Sequence, residues 1–539
     1  MSRRALRRVG SYLERVNSSG TFLSLWVKGQ RSLPVCSENL EVKPDRDQRE
    51  NDQEVEVATR RILNYVGAIL VSFLVSGCGV DQEELTRSRR EATDSLFDLL
   101  EDKQVEGVLA AKAIDLLQET DDPRLTRALV EVLSKKSGVL VFRAIRALGQ
   151  SGDQRAKAPL KALLDDERWD LFFRMEAATA LERLGNLGTA GLLRDVLRNA
   201  EESYLRSSAV GGLGRLGSPE GIADIRTAFR EDSDPLVQGA AAVALARLGD
   251  RESLPAIGER LLSQDSRMLD IVLIESLEIF GDSTAAAYLG EAFKQIRYYD
   301  VRQRCLEALG TTGSKTIGPY LQEMLSTAGN ASDRSLAAQG LAHIRDSSAV
   351  PLLMAAFRTD PINPIKLASA RTLAILGFGS GISSELGDIQ YRNKEEKARS
   401  LEVLGAIGDV RRVVALREAL IWSKNELIEF AAVKALGGME SGEAVAALSD
   451  AFSQDNRLPL RRAIIEALSG ISLPAAQKAL KDVLEKTEYT DLRTLALEGL
   501  GESGNLEYLR TLRKYLNERS PEVRLEAARG GLKLASHGS

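Results

Sequence analysis

The sequence predicts an all-α fold, an α-solenoid of about fourteen stacked antiparallel helix pairs, and three observations predict it. The first is a period. Leucine recurs at Leu116, Leu148, Leu181, Leu213, Leu245, Leu277, Leu309, Leu341, Leu373, Leu404, Leu436, Leu468, Leu500 and Leu532, with eleven intervals of 32 residues, one of 33 and one of 31. A period of this length marks stacked supersecondary units, each burying its apolar face on the next. The second is a pair of small columns, one residue before the marker (Ala147, Ala180, Gly212, Ala244) and four before it (Ala144, Ala177, Ala209, Ala241). Leucine and small residues at i, i+3 and i+4 form one face of a helix that its neighbours approach closely. The third is punctuation: four residues past the marker Gly stands in nine copies, and the next position is Asp, Asn or Ser in eleven. Gly closes a helix in the left-handed conformation, and a short side-chain oxygen caps the helix that follows.

Each unit therefore holds two helices. Helix B carries the marker and an apolar column eight residues earlier (Phe173, Leu205, Val237, Leu269, Val301, Leu460). Helix A carries apolar residues sixteen past the marker, from Val132 and Leu164 through Ile389 to Leu516. Leu or Ile mostly fills the column twelve past it, with Glu385 as the exception. Leu96 and Leu100 fit an initial A helix, so the array runs from roughly Glu83 to Ser536.

The pattern Val-Arg/Gln…Ala-Ala-x-Ala-Leu-x-x-Leu-Gly-Asp is clearest at Val237–Asp250 and echoed at Val301–Gly313, where Thr312 replaces the second leucine. It resembles the short HEAT-like repeat of phycobilin lyase subunits and bacterial scaffold proteins. The resemblance is specific for fold and weakly specific for function. Ankyrin and tetratricopeptide patterns fit worse, because their Thr-Pro-Leu-His and Trp-x-x-Leu-Gly signatures are missing.

Before the array, residues 1–56 are Arg-rich and then polar, expected to be disordered or to precede the true start of the protein, with Val55 or Val57 as alternative starts. Residues 57–77 read as a lipoprotein signal peptide: Arg60 and Arg61, an apolar run from Ile62 to Val75, then Ser76-Gly77-Cys78. The apolar run is shorter than the ~20 residues a spanning helix needs. Ser-Gly-Cys resembles the lipobox of bacterial lipoproteins, which implies cleavage between Gly77 and Cys78 and lipid attachment at Cys78. Residues 78–90 form a polar tether and 91–539 the solenoid. Arg524 and Arg529 stand in columns apolar elsewhere and read as a polar terminal cap, since solenoid ends need one. Around Phe378–Asn393 a Gly-rich segment replaces the usual cap, read as a bend, with a binding site as the other reading.

Catalytic chemistry is sparse. His343 and His537 are the two histidines. HEAT-like deoxyhypusine hydroxylases carry His-Glu pairs for two irons, whereas here Ile344 and Gly538 follow the histidines. Gly211-Gly212-Leu213-Gly214 is a B helix with small residues and no phosphate loop, since no strand precedes it. Cys305 falls in a small column and reads as a buried packing residue. Of 72 basic and 77 acidic residues, 12 and 9 precede Cys78, so the remainder carries a net charge of −8, which disfavours nucleic acid. The column two before the marker is mixed in sign, Glu275, Glu307, Glu402, Glu466 and Glu498 against Arg146, Arg371 and Lys434. A basic column seven before the marker (Arg174, Arg206, Arg302, Arg334, Lys366, Lys397, Arg461, Arg493) is expected to pair with turns of adjacent units as a structural ladder. Trp169, Phe172, Tyr298, Tyr299 and Trp422 are candidate contact anchors whose default role is packing. The expected function is non-enzymatic: a scaffold or adaptor lipid-anchored in the bacterial cell envelope, outer membrane or periplasm, binding a protein partner without cofactor, metal or nucleic acid. The alternatives are a cytoplasmic regulatory scaffold, or a subunit of a phycobilin-lyase-like, chromophore-attaching enzyme.

Overall fold

The computed structural model describes residues 82–537, except 103, 135–137, 265 and 388–390. Segments 1–56 and 57–77, and with them Gly77 and Cys78, lie outside the described residues, as does Ile389. No described helix is long and apolar enough to cross a membrane.

Every unit is a helix pair, as the period predicts. One unit shows why. Ser218 accepts from the Gly221 amide and Pro219 opens helix A, Pro219–Glu231. Asp234 then accepts from the Leu236 amide and Pro235 opens helix B, Pro235–Arg247. Both caps satisfy amides that the first turn leaves bare, and proline at the first helical position loses no hydrogen bond there. Gly249 ends the unit at φ 69°, and all nine glycines of that column have positive φ. In one of the copies without glycine, Arg345 takes the left-handed conformation itself, at φ 49°.

The marker leucines form the spine of the core. From Leu148 to Leu500 they are buried, and so are the A-helix residues Leu160, Leu193, Ile225, Ile257, Leu353, Leu448 and Leu512. Full burial of a leucine contributes roughly 1.5–3 kcal/mol. Leu116 and Leu532, at the two ends, are half-buried and pack from the side, while Leu117 and Leu534 enter the core instead. Successive B helices cross where both chains are small. A Cβ on Gly405 would lie 2.4 Å from Cα of Ala435, and one on Gly437 2.8 Å from Cβ of Ala467. The B layer is thus the tighter layer, which bends the stack toward it.

The basic column is a ladder in part: Arg206, Arg302, Arg334 and Arg493 pair with an acidic residue of the next unit, whereas Arg174, Lys366 and Arg461 bond within their own unit. Arg206 donates to both oxygens of Asp232 at 2.7 and 2.9 Å, and to the carbonyls of Ala200 and Glu201. Arg334 repeats this with Asp360 and the Ala328 carbonyl, and Arg493 with Glu518 and the Thr487 carbonyl. Each of these three guanidiniums, Arg206, Arg334 and Arg493, closes the last turn of its own A helix and reaches the next unit's turn.

The two ends of the array meet. The first described helix, Gln82–Glu101, packs along the last, Pro521–His537, so the solenoid closes on itself. Arg510 grips Glu84 at 2.7 and 2.8 Å, and Arg513 grips Glu91 at 2.7 and 2.9 Å. Ser95 donates to the Leu516 carbonyl at 3.1 Å, and Leu85, Ala92 and Leu96 are buried. Two expectations are corrected here. The polar tether of 78–90 is helical from Gln82, because its carboxylates are partners of the last unit's arginines. The polar cap is a seam: Arg524 lies 3.5 Å from Asp102 of the first unit, and Arg529 pairs with Glu498 at 3.0 Å. Polar residues there face charged partners, which a sequence read as an end could not show.

The Gly-rich unit is shortened, with an A helix of five residues, Ser383–Gly387. Ile382 and Leu386 are buried in it, so the apolar register slips by one and Glu385 turns outward to Arg358 at 2.9 Å.

Two outcomes follow from this packing. Gly405→Ala should cost roughly 1–3 kcal/mol, the usual price of overpacking, whereas Gly138→Ala, with open space at its Cβ, should not; thermal or urea unfolding compares them. Hydrogen bonds from Arg510 and Arg513 hold the Glu84 and Glu91 carboxyls below their ordinary value of 4.5. Carboxylates with depressed folded values stabilise fully above the unfolded value and lose that contribution as pH falls through the folded one. Energy transfer between dyes at Arg90 and Arg519 should therefore drop below about pH 4.5, and Glu91→Gln should shift that loss toward neutral pH. An unchanged signal in both would show that the pairs do not hold the seam.

Candidate functional groove on the B-helix layer

A groove of about 780 Å³ runs over three consecutive B helices, Ser203–Leu216, Pro235–Arg247 and Arg267–Phe280. Its floor is low because the columns there carry Gly211, Gly214, Gly239 and Ala240. Leu236, Val243, Met268 and Val272 line it, and Leu236 and Met268 are largely exposed, at 53% and 76%. Apolar area left in contact with water in a concavity is the usual signature of a ligand site.

Arginines edge the groove: Arg215, Arg247 and, from the helix Gly138–Gln150, Arg146. Arg183 stands beside Arg146, Arg215 and Glu176 in an adjoining cleft. Arg215 donates to the buried Glu176 at 2.6 Å, and Arg247 reaches Glu275 at 3.9 Å. Among the described residues no carboxylate lies within 4 Å of Arg146, whose guanidinium sits over the Phe142 ring, 5.3 Å from its centroid. Burial, and then the charge of Arg215, depress the Arg146 proton affinity.

The groove was missed in the sequence, although a signal existed. In the column two before the marker, charged residues stand in most units, but Gly211 and Val243 stand here. The residues singled out from the sequence fall elsewhere. Gly77 and Cys78 lie outside the described residues. Cys305 is fully buried, and burial pushes its thiol up to about 12. His343 and His537 are exposed on different helices. Phe172 stacks on Phe142 at 5.4 Å and Trp169 meets Phe173 edge-on, so these two pack, whereas Tyr298, Tyr299 and Trp422 are exposed. Within the mixed-sign column Arg371 and Lys434 both reach Glu402, at 3.9 and 3.4 Å, whereas Glu275 and Glu466 pair with Arg247 and Arg462 outside it.

The family model for HEAT repeats matches residues 93–182, 126–210, 190–278, 227–310, 286–374 and 389–469. A deoxyhypusine hydroxylase of Phaeosphaeria nodorum (strain SN15 / ATCC MYA-4574 / FGSC 10173) is 37% identical over 75 residues, 14% of this chain and 23% of that protein. The match thus spans less than a quarter of that relative's length. The structure of human deoxyhypusine hydroxylase aligns with 54% of this chain and 99% of its own, at 20% identity and a TM-score of 0.25. The phycocyanin lyase complex of Nostoc sp. PCC7120 aligns with 61% of this chain and 94% of that chain, at 18% identity and a TM-score of 0.21.

The local identity to a hydroxylase overturns the expectation of a non-enzymatic scaffold. The sparse catalytic chemistry of the sequence, two histidines without His-Glu pairs, no phosphate loop and a buried cysteine, speaks only to those kinds of site. The residues present do not fit two irons held by His-Glu pairs. Among the described residues no group of three or more His, Cys, Asp or Glu converges. Cys305 should resist iodoacetamide in the folded protein and react only on unfolding, as mass spectrometry of its peptide would report. Rapid labelling under native conditions would contradict the buried, neutral thiol.

Proposed function

Since the chain belongs to the HEAT repeat family, whose model matches most of it, we propose that it is the substrate-holding subunit of an enzyme of the chromophore-attaching lyase kind. The groove carries this reading: about 780 Å³ suits a flat, largely apolar molecule of small-cofactor size, within the ~300–1,000 Å³ of ordinary ligand sites. Its own chemistry is binding. Small residues let a planar ligand approach the B-helix backbones, and Leu236, Val243 and Met268 remove its faces from water. The reacting groups come from a partner subunit and from the acceptor protein. Exposed apolar side chains on a separate part of the array, Trp422 and Leu427, suit such a protein contact.

Titration with biliverdin, followed by its absorbance and fluorescence, tests the reading. Saturable binding in the wild type, lost in Val243→Glu with helicity unchanged, is the expected result, since a carboxylate among apolar walls is costly. Biliverdin binding that ignores Val243→Glu, or no binding at all, would remove the lyase reading.

A further inference from the structure

The arginine edge says what the groove's ligand carries. Arg183, Arg215 and Arg247 occupy the same column of three consecutive B helices, and Arg146 joins them from the helix before. Three guanidiniums, those of Arg146, Arg215 and Arg247, therefore line the apolar groove, and that of Arg183 stands in the cleft adjoining it. Their carboxylate partners are Glu176, engaged by Arg215 at 2.6 Å, and Glu275, 3.9 Å from Arg247. Among the described residues, Arg146 and Arg183 form no ion pair within 4 Å. Arg146 is half-buried and lines both the groove and the cleft that holds Glu176. A guanidinium placed there has lost water on one side, and its planar donors match a carboxylate.

We infer that the groove binds an apolar molecule through a carboxylate that ion-pairs with Arg146, while the apolar body lies against Leu236, Val243 and Met268. The inference rests on the groove being the ligand site proposed above, but it does not require the ligand to be a chromophore. Glu176 sets the strength of the subsite. It neutralises Arg215, so that one net positive region, centred on Arg146 and Arg183, is left for the ligand. A neutral apolar molecule would gain the walls and leave the arginines as they are.

The test titrates the full chain with two acids, biliverdin and the fluorescent fatty acid cis-parinarate, and with the methyl esters of both. A charge-assisted pair of about 1.5–3 kcal/mol corresponds to roughly a ten- to hundredfold preference for acid over ester. Arg146→Met should erase that preference and leave ester binding unchanged, and Arg146→Lys should keep part of it. Circular dichroism and the ester arm report whether each variant is folded. Selective binding of cis-parinarate without biliverdin would uphold the carboxylate rule and remove the chromophore reading. Equal binding of acids and esters, or a preference that survives Arg146→Met, would overturn the inference. If no probe binds, both readings fall together.

Discussion

The close crossing of successive B helices is the constraint on which the rest depends. Where Gly405 faces Ala435 and Gly437 faces Ala467, a single added carbon would overlap its neighbour. Backbones that near to each other make one layer shorter than the other, and the same sense of bend repeats from unit to unit. Ion pairs such as Arg206 on Asp232 and Arg334 on Asp360 then hold some turns against the next. Packing sets the curvature, and ion pairs join some units across their turns. Closure follows from the accumulated bend, with the seam arginines stabilising the last contact.

The groove is a by-product of the same constraint. Small residues serve helix approach in the columns next to the marker, but Gly211 and Gly239 stand in columns filled elsewhere by larger groups such as Arg146 and Phe142. Removing side chains there leaves a trough over backbones that cannot move apart. Among the described residues no further layer covers this side of the B helices, so its walls are exposed. The arginines are then the chain's own supply of polar direction in an otherwise unspecific trough.

Much of the fold was legible because the deciding interactions are local and repeat. The glycine column foretold the left-handed residues at Gly217 and Gly249, and the basic column foretold the ladder, since each depends on a fixed offset within one or two units. The seam was not legible. Arg524 looks like an end residue when read along the chain, and its partner Asp102 lies more than four hundred residues away. Nothing in a single unit states the small rotation that, summed over the array, returns it to its start. The groove was half legible: the change from charge to Gly211 and Val243 was present in the columns, but it has meaning only once three B helices stand side by side.

Closure also has a consequence for synthesis. Ser95 and its partner Leu516 are separated by 421 residues. A ribosome adding ~5–20 residues per second needs roughly 20–80 s to bridge that gap. During that interval Leu85, Ala92 and Leu96 have their neighbours in the first pair but lack the final helix that covers them. Each later unit, by contrast, finds its predecessor already folded. The helix Gln82–Glu101 therefore waits with an apolar face until the helix Pro521–His537 is made and packs along it.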